Sequence, residues 1–254
     1  DFYITIYYAN SHDNSLSKII ATSNVDSNSY GPTFYKSNNN LITNVTVSSM
    51  VDTGLWFEIS NNSLIRNSNL SSNGRQGIYI YSNSNNNSVS NSYTNHNGGY
   101  GIYLDGSNST IYNNSANYQN QSGGIYVIGS DNNISSNGAD YNNASDTYYY
   151  IYYVQGDNNI VTSNTAEGNI MGITEQYIYY ISGNYNNISG NSADDNSGGG
   201  VVQIIRVIGG WNNISSNQIG SSSSNTAEYG IYIDGSDNIV QANNNPGGIS
   251  SSSA

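Results

Sequence analysis

Short apolar alternations, separated by clusters of Asn, Ser and Gly, recur along the chain. GLWFEI (54–59), GIYIY (77–81), GIYLD (101–105), GIYVI (124–128) and GIYID (230–234) place Ile, Leu or Val at every second position with Tyr or Trp between them. Period-two alternation over four or five residues predicts a half-buried strand. About nine residues after each comes a second apolar signal inside a polar frame: GSDNNISSN (129–137), GDNNIVTSN (156–164), GNYNNISGN (183–191), GWNNISSN (210–217) and GSDNIVQAN (235–243). Taking the apolar residue of that frame as an anchor gives Leu16, Leu41, Leu64, Val89, Ile111, Ile134, Ile160, Ile188, Ile214 and Ile239, spaced by 25, 23, 25, 22, 23, 26, 28, 26 and 25 residues. No segment of useful length has helical periodicity. Two short strands and polar turns in each 22–28 residues describe one coil of a parallel β-solenoid, so the expected fold is all-β, a single domain over 1–254 of about ten coils.

The Asn residues acquire a purpose in that frame. Six anchors are followed three residues later by Asn44, Asn67, Asn114, Asn137, Asn191 and Asn217. Coils stack one strand spacing apart, about 4.8 Å, a distance at which equivalent Asn side chains hydrogen-bond into a ladder. Asn also tolerates the left-handed backbone of tight turns. The ends differ from the body: DFYITIYYA (1–9) reads as an extra strand outside the repeat, and 244–254 as a Pro/Gly/Ser-rich tail. No amphipathic helix is predicted to cap the stack, which would leave strand edges open to another copy.

N-x-I-x-x-N turns joined to G-I-Y-x-x strands over roughly residues 36–243 resemble the right-handed parallel β-helix repeat proteins, the pectate-lyase-like superfamily, and in style its Asn-rich, non-enzymatic surface and periplasmic members. The right hand is implied by that resemblance; the spacing does not determine it. The superfamily mixes lyases, hydrolases, carbohydrate binders and surface-layer proteins, so the likeness specifies architecture more than activity.

Composition narrows the partners. The chain has 47 Asn, 43 Ser and 25 Tyr in 254 residues, no Cys, and only five cations (Lys18, Lys36, Arg66, Arg75, Arg206) against 17 acids, for a net charge of −12. A basic patch cannot form, which excludes nucleic acid and anionic membrane surfaces as natural partners. No apolar run is long enough to insert into a bilayer, and without Cys there is neither a disulfide framework nor a thiolate metal site. The first residue is Asp rather than Met, which suggests a processed, secreted product.

Candidate chemistry is sparse. A lyase of this fold would need an acidic Ca²⁺ cluster and a base, and a hydrolase would need paired carboxylates. Asp131 and Asp157 share a position relative to their anchors, but Tyr185 and Trp211 then end that column. Asp194 and Asp195 are sequential, and Asp234 and Asp237 flank a Gly-Ser turn, so all six acids read as turn formers with no cation beside them. The sequence therefore points to no catalytic residue, no metal and no cofactor. The repeats lack a Ca²⁺-solenoid nonapeptide, and His12 and His96 have no ligand spacing.

Two features remain. Trp56, Tyr79, Tyr103, Tyr126, Tyr152, Tyr179 and Tyr232 align at one outward strand position, with Arg206 in the same column. Such a column either stiffens the stack or presents rings to a sugar or another protomer. Eleven N-x-S/T sequons also occur, at Asn44, Asn61, Asn69, Asn86, Asn108, Asn113, Asn120, Asn133, Asn143, Asn187 and Asn213. Chance at this Asn and Ser/Thr frequency gives roughly ten, so position matters more than number. Asn133, Asn187 and Asn213 precede inward Ile and should face outward. The resulting expectation is a non-enzymatic, extracellular or cell-surface structural subunit carrying covalent glycans, which polymerises with itself through its open ends, residues 1–9 included. A carbohydrate-binding module using the Tyr column is the alternative, and a polysaccharide lyase or hydrolase the third reading.

Overall fold

A computed structural model describes residues 3–4, 6–22, 29–144, 150–172, 176–198, 202–220, 223–224, 229–244 and 249–251. Residues 1, 2, 5, 245–248 and 252–254 of the expected end segments lie outside them. No helix occurs among the described residues. Two long parallel sheets run the length of the stack: one of 11 strands from Tyr7–Ala9 to Ile249–Ser251, and one of 10 strands from Ser15–Ser17 to Ile239–Gln241. A shorter 4-stranded sheet covers part of a third side.

The alternation seen in the sequence is the packing rule. In the first sheet one inward column runs Leu55, Ile78, Ile102, Ile125, Tyr152, Tyr179, Ile205, Ile231, and a second runs Phe34, Phe57, Ile80, Leu104, Val127, Val154, Ile181, Val207, Ile233. These side chains are buried, each contributing about 1.5–3 kcal/mol through removal of apolar surface from water. Phe34 stacks on Phe57 at 4.6 Å and Tyr8 on Phe34 at 4.9 Å, so ring stacking carries the core toward the first coil.

Residues 1–9 do not stand outside the repeat. Tyr3–Ile4 pairs with Ser29–Tyr30 and Tyr7–Ala9 with Thr33–Tyr35, in the same parallel register as every later coil. The tail likewise contributes a strand, Ile249–Ser251.

Four anchors move by one residue. Leu41, Leu64, Ile160 and Ile239 point outward, and Ile42, Ile65, Val161 and Val240 take the inward position. Where two apolar residues are adjacent, alternation cannot choose between them, and a one-residue shift reverses every face. The polar ladder moves accordingly. Asn114, Asn137, Asn164, Asn191, Asn217 and Asn243 stack in succession, each side-chain oxygen receiving the backbone N–H of the residue one coil before at 2.9–3.1 Å. Asn44 and Asn67 lie one position away, exposed and at positive φ, while Val45 and Ser68 occupy the ladder column.

Further ladders line two other corners: Asn132, Asn159, Asn186, Asn212 and Asn238 at one, and Asn73, Asn97, Gln119, Asn142, Asn169 and Asn196 at the other. Buried amides satisfy the backbone groups that the turns leave without strand partners. At the exit of the first sheet the chain turns through Gly129, Gly156, Gly183, Gly209 and Gly235, all at φ between 122° and 147°. A Cβ there would collide with the carbonyl oxygen of the residue stacked in the preceding coil, so glycine is required twice over.

Candidate functional site

The outward column of the first sheet reads Trp56, Tyr79, Tyr103, Tyr126, Tyr153, Tyr180, Arg206, Tyr232. Tyr152 and Tyr179 are displaced from it into the core, where both are fully buried. YYYIYYV (148–154) and YIYYI (177–181) fit the alternation in two registers, and the core decides between them. Coils here are 27 residues long against 22–24 between residues 68 and 114. The Tyr152 hydroxyl donates to the carbonyls of Asn137 (2.8 Å) and Thr165 (3.1 Å), and that of Tyr179 to Asn164 and Ser192 (3.0 Å each).

The outward rings divide into two regions. Tyr103, Tyr126, Tyr153 and Tyr180 stack within 4–6° of parallel at 4.2–5.3 Å, so each ring's face is covered by its neighbour. This stretch stiffens the stack. Toward the N-terminus the planes open: Trp56 meets Tyr79 edge-on at 75° and Tyr30 at 50°. Tyr30, Trp56, Tyr79 and Tyr81 there wall a cleft of ≈ 220 Å³ with Asp52, Thr53, Arg75 and Gln76.

The cleft holds the one ion pair among the described residues, Arg75 Nε to Asp52 Oδ2 at 3.4 Å, with Arg75 exposed and Asp52 mostly buried. The Thr53 hydroxyl donates to Asp52 Oδ1 at 2.9 Å. Burial, and then the Asp52 charge, raise the Tyr30 phenol above its ordinary range. Burial, followed by Tyr81, Asp105 and Glu58, pushes Tyr79 up to about 12. Trp56 lines the cleft with its ring, while its Nε1 is buried and has no acceptor among the described residues. Asp52 and Arg75 escaped the sequence reading, although their 23-residue separation is one coil and that spacing was the available signal.

The other singled-out residues are scattered. Asp157 belongs to a corner ladder, accepting the Asn184 N–H at 2.7 Å, and pairs in register with Ser130 rather than Asp131. Asp131, Asp195 and Asp237 sit at positive φ in exposed turns, and Asp194 accepts the Asp195 N–H. Asp234 is exposed at the end of its strand. His96 stacks on Tyr118, and Tyr118 on Tyr141; His12 forms a backbone bridge to Asn38. Among the described residues no three His, Cys, Asp or Glu side chains converge as metal ligands would. Arg206 lies over the rings of Tyr177 and Tyr232 at 5.2 and 5.0 Å. Of the sequon residues, Asn44, Asn69, Asn86, Asn108, Asn113, Asn120 and Asn143 are exposed, whereas Asn61, Asn133, Asn187 and Asn213 are half-buried, with Asn213 donating to Asn187 at 3.1 Å.

The phenols give the fold an alkaline limit. Burial is the main cause that holds Tyr79 and Tyr103 near 12 and raises Tyr126, Tyr152, Tyr153 and Tyr179. Unfolded phenols ionise near 10, so between that pH and the folded values the unfolded chain has released protons that the folded chain retains. Stability is then full below pH 10 and falls as pH rises through about 12. An ultraviolet phenolate titration should show Tyr79, Tyr103, Tyr126, Tyr152, Tyr153 and Tyr179 ionising only together with loss of β-sheet circular dichroism. Ionisation of all 25 tyrosines in one step near pH 10, with the sheet intact, would contradict this burial pattern.

Comparison with known proteins places the architecture. A family model described as right handed beta helix region matches residues 3–116. No curated protein sequence matches the chain significantly. The A-module of the Azotobacter vinelandii mannuronan C-5 epimerase AlgE4 superimposes with a TM-score of 0.60 at 16% identity, covering 99% of this chain and 76% of that one. The Agl-KA catalytic domain aligns with a TM-score of 0.40 at 13% identity over 96% of this chain and 62% of its own, too weak to add to the argument. The expectation of a non-enzymatic protein is corrected by the first likeness: a mannuronan C-5 epimerase module is built on this fold, so the fold is one that a catalytic module uses.

Proposed function

We propose that this chain, a right-handed parallel β-helix repeat protein, acts on a neutral polysaccharide, which it grips at the Tyr30–Trp56–Tyr79–Tyr81 cleft. The observation that carries the reading is the cleft walled by four aromatic rings beside the Asp52–Arg75 pair, at the point where the ring column opens. A sugar ring stacks its C–H face on indole and phenol rings such as those that wall this cleft. Mannuronan, named for the epimerase module, is a uronate polymer; a net charge of −12 with a single cation in the cleft opposes such a chain and favours an uncharged one.

The chemistry proposed is hydrolysis. Asp52, with Arg75 Nε 3.4 Å away, takes a proton from the water that attacks the anomeric carbon, the glycosidic C–O bond breaks, and the departing oxygen is protonated from solvent. The test uses soluble β-glucan, starch, mannan and a polyuronate, following binding by affinity electrophoresis and cleavage by new reducing ends. Cleavage of a neutral polymer is expected, falling about 10²–10³-fold in Asp52→Asn with binding retained. Trp56→Ala should weaken binding about tenfold, while Tyr103→Ala with Tyr126→Ala should lower thermal stability and leave binding intact. No binding to any polymer, or wild-type turnover by Asp52→Asn, would refute the proposal.

A further inference from the structure

A second concavity lies on another side of the solenoid, away from the aromatic column. Tyr93, Ser115, Gly138 and Thr165 occupy equivalent positions on four successive coils, joined by parallel bridges. Side-chain size falls from a phenol to a hydroxymethyl to nothing, then rises again at Thr165. The hollow this leaves measures ≈ 270 Å³ and is lined by Tyr93, Asn91, Asn113, Asn117, Ser136 and Gly138, with Ser92, Asn114 and Ser115 completing the wall. Every lining side chain is uncharged.

The walls are held from outside the hollow. Asn91, Asn113 and Ser136 sit at φ 50°, 52° and 57°, in a left-handed turn repeated on each coil, and Asn113 donates to Asn91 at 2.7 Å. Asn117, also in the lining, has its oxygen occupied by the Asp140 N–H at 2.8 Å, which leaves its amide N–H groups as the donors it can offer a ligand. Tyr93 is 59% exposed. Unlike Tyr118 and Tyr141, which stack on each other, it contacts no other ring among the described residues, so no aromatic neighbour covers its faces. A Cβ on Gly138 would lie 3.1 Å from Asp140 Oδ2, 3.4 Å from Asn117 Oδ1 and 3.5 Å from Thr165 Oγ1, so the floor is flanked by acceptors that a side chain would cover.

We propose that this hollow is a second saccharide site, taking one neutral pyranose residue with its C–H face on Tyr93 and its hydroxyls on Asn91, Asn113, Asn117 and Ser136. Tyr93 and Gly138 are two coils apart, about 9.6 Å, which accommodates a single sugar ring beside the phenol, over Ser115 and Gly138. An apolar wall with convergent amides and no charge is the chemistry of neutral sugar recognition. With no cation in the lining, an acidic sugar would have no counter-charge for its carboxylate.

The experiment uses the full chain made in a bacterial host, so that the Asn113 sequon stays bare, in a Trp56→Ala background that weakens the cleft described above. Maltotriose, cellotriose and mannotriose are the neutral probes and trigalacturonate the acidic one, followed by calorimetry and by saturation transfer from tyrosine ring protons. At least one neutral trisaccharide should bind. Its affinity should drop about tenfold with Tyr93→Ala and with Gly138→Val, and persist with Tyr93→Phe. Tyr93→Ala removes an exposed ring, so an unchanged circular dichroism spectrum is expected and separates lost binding from lost fold. The proposal is overturned if no neutral trisaccharide binds, if both substitutions leave its binding unaltered, or if trigalacturonate binds more tightly than every neutral probe.

Discussion

Asn164→Leu is expected to destabilise the chain by about 4 kcal/mol or more, although leucine fills much the same space. Asn164 Oδ1 accepts both the backbone N–H and the side-chain amide of Asn137, at 2.9 and 3.0 Å. Its own amide donates to the Ile134 carbonyl at 2.9 Å and to Asn191 Oδ1 at 3.0 Å. All of these residues are fully or nearly fully buried, so water cannot replace the missing partner. Two donors on Asn137 would be stranded, each at about 1–3 kcal/mol, and two acceptors would lose a donor. Urea unfolding measures the loss as a lowered midpoint, and Ser163→Ala, an exposed neighbour, should shift it by no more than about 0.5 kcal/mol. Each coil touches only its neighbours, so amide exchange should accelerate first between residues 137 and 191. A midpoint shift no larger than that of the control would mean the ladder is ornamental.

The second large effect concerns the tyrosine pair that alternation alone misassigns. Tyr152→Ala should cost about 4 kcal/mol, the range for emptying an aromatic site in a core that relaxes only partly. Tyr152→Phe keeps the ring against Tyr179, 4.8 Å away, and should cost about 1–2 kcal/mol because the Asn137 and Thr165 carbonyls lose their shared donor. Tyr153→Ala, one residue on, removes an outward ring and should cost about 1 kcal/mol. The order of the three is the diagnostic. If Tyr153→Ala proved the most damaging, the register of this strand would be the opposite one, with Tyr153 inside.

The sequence and structure agree where one apolar residue stands alone in a polar frame. Ile111, Ile134, Ile188 and Ile214 were anchors by pattern and are core by burial. Agreement fails where neighbours are equally apolar, as at Leu41–Ile42, Leu64–Ile65 and Ile160–Val161. The first consequence was to put Asn44 and Asn67 in the ladder and omit Asn164. The second was to align Asp157 with Asp131, when the fold stacks it between Ser130 and Asn184 and thereby gives it a structural task. The Asp52–Arg75 cleft was hidden for another reason. Neither residue belongs to a repeated motif, and only the coil geometry joins a turn at 52 to a turn at 75.

The sequence by itself determined the solenoid: two apolar signals per 22–28 residues, polar turns rich in Asn and Gly, and no room for helices or disulfides. Those are local consequences of period-two alternation and turn chemistry, and each coil repeats them. The tertiary structure alone decided which of two adjacent apolar residues faces inward, which tyrosines enter the core, and which side chains meet across coils. These are properties of stacking. A side chain's face depends on the packing of its whole coil, and its partners lie one coil away on other strands, at a distance the repeat length sets but no local motif marks.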